Sequence, residues 1–201
     1  LGAHYSDIEV IKSSFSNARA DDALNVKYAH AYVSYSSFTN NSADAIDFDY
    51  VSGIVENSYF SGNGNDSIDL SGSSVLVQDS VIQDSGDKCI SIGEKSEQTI
   101  IFNNLLQTCA IGIETKDASS PIILNTVIIN NDTGINAYRK KPLFINGGFV
   151  DVHNSIISSN TEQITEDKRS DINIFSSNIQ EGFDAPNIKF TESGEIKIRA
   201  W

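Results

Sequence analysis

The chain has 201 residues and a formal net charge of −13, from 27 acidic and 14 basic side chains. Such an acidic surface repels nucleic acid and anionic membranes, and it favours cations or an anionic polymer reached through them. No apolar run approaches the ~20 residues that span a bilayer, and no secretory signal opens the chain, so neither nucleic-acid binding nor membrane insertion is expected. Met is absent and Leu1 falls in mid-repeat, which suggests a mature piece or an excised module attached to other domains in a longer parent. Only three prolines, a modest 39% apolar content and many β-branched residues favour strands joined by polar turns.

In chain order, the segment Leu24-Asn25-Val26-Lys27 recurs as Ile46-Asp47-Phe48-Asp49, Ile68-Asp69-Leu70-Ser71, Ile90-Ser91-Ile92-Gly93, Ile113-Glu114-Thr115-Lys116 and Ile135-Asn136-Ala137-Tyr138. The period is about 22 residues. A second column runs Val33, Val55, Val77, Ile101, Ile123, Val152, Ile174 and Ile196. A third runs Phe15, Phe38, Phe60, Ile82, Leu106, Ile128, Ile157 and Ile179. Within each copy apolar and polar residues alternate, the mark of strands with one buried face. One copy cannot bury its apolar face alone, whereas stacked copies bury a continuous core and pair each strand with its equivalents above and below.

The pattern therefore predicts an all-β fold, a parallel β-helix of about nine coils. It is taken as right-handed by fold-level expectation, and as a single domain over residues 1–201. The Leu-x-x-Leu-x-Leu pattern of leucine-rich solenoids is absent, and no segment keeps a helical apolar stripe. Asn57, Asp79, Asn103, Asn125 and Asn154 form one turn column whose side chains are expected to bond to each other and to the turn backbone. Cys89 and Cys109 lie near one repeat apart. Two small buried side chains is the favoured reading, with a disulfide as the alternative. Between Ile123 and Val152 the repeat gains seven residues, assigned to an inserted loop at 139–149, the most basic stretch of the chain.

Inward positions are expected to be apolar, so chemistry is sought on outward columns. These read Asp22, Asp44, Asp66, Lys88; then Asn25, Asp47, Asp69, Ser91, Glu114, Asn136; then Lys27, Asp49, Ser71, Gly93, Lys116, Tyr138. Carboxylates stacked at about 4.8 Å repel by roughly 3 kcal/mol per pair at an effective dielectric near 20. A shared proton, a cation or a metal must offset this. Asp44, Asp47, Asp49, Asp66 and Asp69 supply the hard oxygen ligands that suit Ca²⁺. A salt-bridged stack with Lys27 and Lys88 as counter-ions is the alternative. Lys88, Lys116 and Arg139 are candidate catalytic bases or neutralisers, and Lys27, Asp69 and Tyr138 candidate substrate-binding residues. Tyr28, Tyr50 and Tyr138 follow the acidic strands and are placed to stack on sugar rings or to cover a turn. His4, His30 and His153 sit in different columns, away from the acidic patch, and form no triad.

Over almost its whole length the sequence resembles the pectate-lyase-like β-helix superfamily. The stretch Asp66-Ser67-Ile68-Asp69 with Gly86-Asp87-Lys88-Cys89 is similar to polygalacturonase-type hydrolases, a resemblance that matches Asp66 and Asp87 to catalytic carboxylates. Gly64 stands where that family has Asn, and Lys88 where it has the second Asp of a pair, so its mechanism is not implied. Lys116 and Arg139 resemble the Lys and Arg that alginate and chondroitin lyases of β-helix type carry on successive coils. Lys88-Cys89-Ile90-Ser91-Ile92-Gly93-Glu94-Lys95-Ser96 and Ala137-Tyr138-Arg139-Lys140-Lys141-Pro142 look most like β-helix modules of large bacterial surface or secreted proteins, some of which accompany CotH-like kinase domains.

Two functions are expected to compete. One is an extracellular or cell-surface bacterial polysaccharide lyase acting on acidic polysaccharide with Ca²⁺ assistance. There the metal neutralises a uronate carboxyl and a base removes the neighbouring proton. The other is a non-catalytic module that binds cell-surface glycan or acts as a rigid spacer. If the chain is an enzyme, a lyase is favoured over a glycoside hydrolase.

Overall fold

The computed structural model describes residues 1–19 and 21–180, and the backbone of residues 189–191. Among them there is no helix, and every pairing joins parallel strands one coil apart. A coil turns through one strand of each of three sheets. Asp44–Asp49, Ser52–Glu56 and Tyr59–Ser61 make one coil, and Ile68–Ser71, Ser74–Gln78 and Val81–Gln83 make the next. The sheets hold eight, nine and eight strands, so the chain is a parallel β-helix close to the expected coil number.

All three sequence columns are structural registers. Leu24, Ile46, Ile68, Ile90, Ile113 and Ile135 pair in succession on the first sheet, every one fully buried. Val33 to Ile174 pair likewise and are buried on the second sheet, and Phe15 to Ile179 pair on the third, where the end members Phe15 and Ile179 are only partly buried. Each fully buried aliphatic or aromatic side chain contributes roughly 1.5–3 kcal/mol against exposure. The Phe15, Phe38 and Phe60 rings stack at 4.8 and 5.0 Å, because parallel in-register pairing sets like side chains one strand spacing apart. Ile196 lies outside the described residues, and the register partner of Ile174 is Phe190.

The corner between second and third sheets explains the Asn column. Asn57, Asp79, Asn103, Asn125 and Asn154 all have left-handed backbone, with φ of 47, 50, 56, 49 and 46°. Asn and Asp tolerate that region better than other residues with a Cβ. Their side chains bond in pairs, Asn103 Nδ2 to Asp79 Oδ1 and Asn154 Nδ2 to Asn125 Oδ1, both at 2.6 Å. The next position turns inward and is polar, which corrects the expectation of a wholly apolar interior. Ser58 Oγ accepts the Ser36 N–H at 3.1 Å, Ser80 Oγ the Ser58 N–H at 3.0 Å and Asn104 Oδ1 the Ser80 N–H at 3.0 Å. Bending the chain leaves those amides without a strand partner, and the ladder supplies one.

Three further features depart from a uniform coil. Cys89 and Cys109 form a disulfide with Cα atoms 5.7 Å apart, which overturns the favoured reading of two unbonded thiols. Glu94, Lys95 and Gln98 take positive φ, and pairing shifts register between Glu97 and Ile100, which absorbs the extra length of that coil. The inserted residues leave the first sheet after Thr133–Tyr138, and the chain enters the second sheet at Phe149–His153. Two backbone amides, Lys140 N and Lys141 N, donate to the buried Asp117 Oδ1 at 2.8 Å each and fasten the loop to the preceding coil.

Candidate functional site

The outward face of the first sheet carries every candidate on Asp44–Asp49, Ile68–Ser71, Lys88–Gly93, Ile111–Lys116 and Thr133–Tyr138, with Asp66 just before its strand. Asp22 pairs with Asp44, Asn25 with Asp47 with Asp69 with Ser91 with Glu114, and Lys27 with Asp49 with Ser71 with Gly93. Alternation of side chains puts the Asn25 and Lys27 columns on the outer side, and Asp22 and Asp44 join them because two consecutive buried residues, Ala23–Leu24 and Ala45–Ile46, break the alternation in between.

Stacking acids at this spacing has a visible structural reason. Asp44 Oδ1 accepts the Asp66 N–H at 2.9 Å, and Asp66 Oδ1 accepts the Lys88 N–H at 3.1 Å, so each carboxyl caps the backbone one coil further on. Asn65 Nδ2 also donates to Asp44 Oδ1 at 2.7 Å. Asn25 bridges the first two coils, donating to Asp22 Oδ2 at 3.0 Å and Asp47 Oδ2 at 2.5 Å. Lys27 Nζ pairs with Asp49 Oδ2 at 2.5 Å. Lys88 Nζ lies 3.7 Å from Asp66 Oδ1 and also pairs with Asp87. Asp69 Oδ1 is buried and accepts no hydrogen bond among the described residues.

These contacts leave part of the repulsion standing, and protons take it up. Burial, opposed by the bonds from Asp66 and Asn65, pushes the Asp44 carboxyl up to about 6. Burial and the neighbouring Asp49, Asp22 and Asp69 push Asp47 up to about 7. Burial, opposed by Lys88, does the same to Asp66, again to about 7. Burial works to lower Lys88, but Asp87, Asp66 and Glu114 outweigh it and hold the ammonium above the ordinary lysine range.

One coil on, the chemistry changes. Lys116 Nζ donates to Ser91 Oγ at 2.6 Å and pairs with Glu114 Oε1 at 3.1 Å, with all three side chains buried. Tyr138 Oη donates to the same Glu114 oxygen at 3.3 Å, and burial with Glu114 nearby pushes its phenol up to about 12. Gly93 makes this possible, since a Cβ there would stand 2.9 Å from Lys116 Cε and 3.2 Å from Cγ. Glu114 and Ser91 were visible in the sequence as outward-column members. Nothing there marked them as partners of Lys116, because the bond crosses between columns.

Arg139 does not join this face. Arg139 Nη1 donates to Phe144 O at 3.4 Å within the inserted loop, and its backbone N–H goes to Asp167. Tyr28 is stacked between Tyr50 at 4.9 Å and Tyr5 at 5.0 Å, so both its ring faces are taken, as is one face of Tyr50. Tyr138 belongs to a different column, in register with Lys116. His4, expected away from the patch, pairs with Lys27 at its first coil. Among the described residues, no three His, Cys, Asp or Glu side chains converge in a way that would hold a metal ion.

A parallel β-helix with an acidic outward face that turns cationic along one sheet is the class of protein that fold and site define. The family model described as "right handed beta helix region" matches residues 22–180, and the chain belongs to that family. No curated protein matches it. Nine solved chains are similar. One is the plasmid-mediated fluoroquinolone resistance protein QnrB1 in trypsin-treated form. It is 11% identical with a TM-score of 0.28, and the match covers 94% of this chain and 91% of that one. Another is the catalytic domain of a GH87 α-1,3-glucanase in complex with tetrasaccharides. It is 13% identical with a TM-score of 0.29, and the match covers 86% of this chain and 49% of that one.

Proposed function

We propose that the outward face of the first sheet, from Asp44 to Tyr138, binds an extended acidic polysaccharide outside the cell, and that the chain acts on it in a lyase-like manner. The observation that carries this reading is the boundary at Lys88. Aspartates with carboxyl pKa values near neutrality stand on one side of it, and a protonated Lys88 with a high-pKa Tyr138 on the other. Elimination from a uronate needs a positive neighbour for the carboxyl, a base for the adjacent proton and an acid for the leaving oxygen. Lys88, held protonated, suits the first role better than that of base. Asp47 and Asp66, titrating close to neutral pH, suit the second. Tyr138, with its phenol protonated, suits the third.

Calcium enters this reading as a proposed addition: no three acids converge among the described residues, but Asp69 Oδ1 is left without a hydrogen bond, with Asp47 in register beside it and Asp49 two residues further along that strand. Asp44 would contribute its second oxygen, while Asp66, if it is the base, would stay outside the ion's shell. Bound there, the ion would supply the positive charge for a uronate carboxyl. The Cys89–Cys109 disulfide supports an oxidising, extracellular location.

A second reading, a glycan-binding or spacer module without catalysis, is favoured by Lys116. Its ammonium is consumed by Ser91 and Glu114 beneath the surface, which takes one expected base out of play. The deciding experiment incubates the protein with polygalacturonate, alginate and chondroitin, with and without Ca²⁺. Ultraviolet absorbance then reports unsaturated product, and the same polymers are tested for binding. Product that disappears with Asp66→Asn supports the lyase. Binding without product supports the glycan-binding module, and neither product nor binding on these polymers leaves the spacer.

A further inference from the structure

We propose that the corner between the first and second sheets, between Tyr50 and Lys141 of the inserted loop, is a subsite for one uronic acid residue of an acidic polysaccharide. The inference rests on the reading of the first sheet as a polysaccharide face and adds to it a place where a single sugar is held. Tyr28, Tyr50, Gly72 and Glu94 stand on this corner in successive coils, each following directly on the paired Lys27, Asp49, Ser71 and Gly93. All four have left-handed backbone, with φ of 54, 55, 62 and 58°. That conformation disfavours a bulky side chain, and Asn125 with its column at the next corner shows the residue type that suits it. Tyrosines kept in such a conformation point to a use for their rings.

The stack of rings stops at Tyr50. One face lies on Tyr28, and the next coil offers only Gly72, where a Cβ would stand 2.7 and 2.8 Å from ring atoms Cε1 and Cδ1. Tyr50 is 50% exposed, and its second face, unlike either face of Tyr28, carries no stacked ring. Beyond Gly72 the corner turns cationic. Lys141 comes back from the inserted loop to pair with Glu94, its own side chain 48% exposed. Its backbone is tied on both sides: its N–H donates to the buried Asp117 Oδ1 at 2.8 Å, and its carbonyl accepts the Phe144 N–H at 3.1 Å. The bond to Glu94, with Asp117 and Tyr50 nearby, outweighs burial and holds the ammonium above the ordinary lysine range. Lys95, next to Glu94, and Lys140, next to Lys141, are exposed and add positive charge.

This pairing of groups names the ligand class. A pyranose presents a face of C–H groups that packs on the electron-rich face of an aromatic ring. Tyr50 and Glu94 are two coils apart, about 10 Å, which leaves room for one sugar ring with its carboxyl directed at Lys141. An ammonium has three donors and Glu94 takes one, so a sugar carboxylate can accept another. A neutral sugar would use the ring and leave the cations idle, whereas a uronic acid uses both.

Calorimetric titration at neutral pH with short oligomers of galacturonate, of mannuronate and of chondroitin tests this, with maltotriose as the neutral control. At least one acidic oligomer is expected to bind, and more weakly as salt is raised. Maltotriose should bind at least about tenfold more weakly than that oligomer. Tyr50→Asn, which suits the left-handed backbone, and Lys141→Met should each weaken binding about fivefold or more. Lys141→Arg should keep most of the affinity, and Glu94→Gln, by freeing the ammonium, should raise it. Tyr59→Ala, at an exposed tyrosine of the third sheet, should leave it unchanged. Circular dichroism verifies folding, and if Tyr50→Asn does not fold, Lys141→Met and Glu94→Gln decide. The proposal is overturned if no acidic oligomer binds, if maltotriose binds equally well, or if folded Tyr50→Asn and Lys141→Met bind as the parent does. In that last case the first-sheet reading stands by itself. Binding that depends on Tyr50 and Lys141 without unsaturated product would support this subsite and sink only the lyase.

Discussion

Lys116 reaches back one coil, over the bare backbone of Gly93, to place its ammonium 2.6 Å from Ser91 Oγ and 3.1 Å from Glu114 Oε1. The ion pair is buried, with side-chain exposures of 8% and 4%. Removing one partner strands the other charge, whereas removing both with apolar side chains of similar volume is close to neutral. Glu114→Ala is expected to cost about 3–5 kcal/mol in urea unfolding. The double variant Glu114→Leu with Lys116→Met should return to within about 1 kcal/mol of the parent. If the double variant is as unstable as the sum of the singles, the pair is not what holds this stretch of the face together.

Stability should depend on pH in a direction opposite to that of most proteins with paired acids. Asp44, Asp47 and Asp66 are held above the ordinary value of 3.8, so the folded state binds more protons than the unfolded one between about 4 and 7. Their contribution is complete below 3.8 and is lost as pH rises through about 6 and 7. Asp84 is held below 3.8 by Thr108, Gln83 and Ser61, and Asp167, despite burial that works to raise it, by the bonds from Arg139, Arg169 and Ser170. Their contribution fails on the acid side. The melting temperature should therefore peak near pH 4, fall between about 4 and 7, and level off towards 8. Asp47→Asn should flatten that fall and stabilise the protein at pH 8 by about 1 kcal/mol, a figure reduced for its partial exposure. A melting temperature that climbs steadily from pH 5 to 8 would contradict these assignments.

The period of apolar residues was enough to read the coil and its register, because parallel in-register stacking makes every coil repeat the same inside–outside pattern. Leu24 through Ile135 could be aligned from spacing alone. What spacing does not carry is the sideways reach of long side chains. Lys116 bonding Ser91, and Asn25 bridging Asp22 and Asp47, join residues in different columns. Nor does it separate an Asn chosen for its left-handed backbone, such as Asn125, from one buried for a ladder, such as Asn131, whose Nδ2 donates to Asn160 Oδ1 at 2.9 Å. The acids read as a patch from spacing, but their attachment to the next coil's amides depends on the turn before Ile68, which no period describes.

The disulfide between Cys89 and Cys109 joins adjacent coils with a sequence separation of 20. Closing a loop of that size removes unfolded-chain entropy worth about 3 kcal/mol in the simple loop-closure account. Cys89→Ser with Cys109→Ser, or reduction, is expected to lower unfolding free energy by roughly that amount. Both sulfurs are buried, so reduction should require strong reductant or partial unfolding. Mass spectrometry after alkylation of the native protein would report two unmodified thiols in place of the bond if this assignment were wrong.

Calcium, if it binds the acidic columns, must compete with the protons already there. At pH 5 the Asp44, Asp47 and Asp66 carboxyls, with values of about 6, 7 and 7, are mostly protonated and poor ligands. At pH 8 they are charged, mutually repelling and short of partners, with Asp69 Oδ1 buried and unbonded among the described residues. Added Ca²⁺ should therefore raise the melting temperature at pH 8 far more than at pH 5. At a hundredfold excess over the dissociation constant the gain is about 2.7 kcal/mol. Asp69→Asn, which keeps shape but gives up charge, should lose most of that gain. Mg²⁺, which demands a tighter octahedral shell and gives up its waters reluctantly, should reproduce little of it. A melting temperature unmoved by millimolar Ca²⁺ at pH 8 would remove the metal from this face and leave protons, Asn25 and the two lysines as the whole means by which the stacked acids are held.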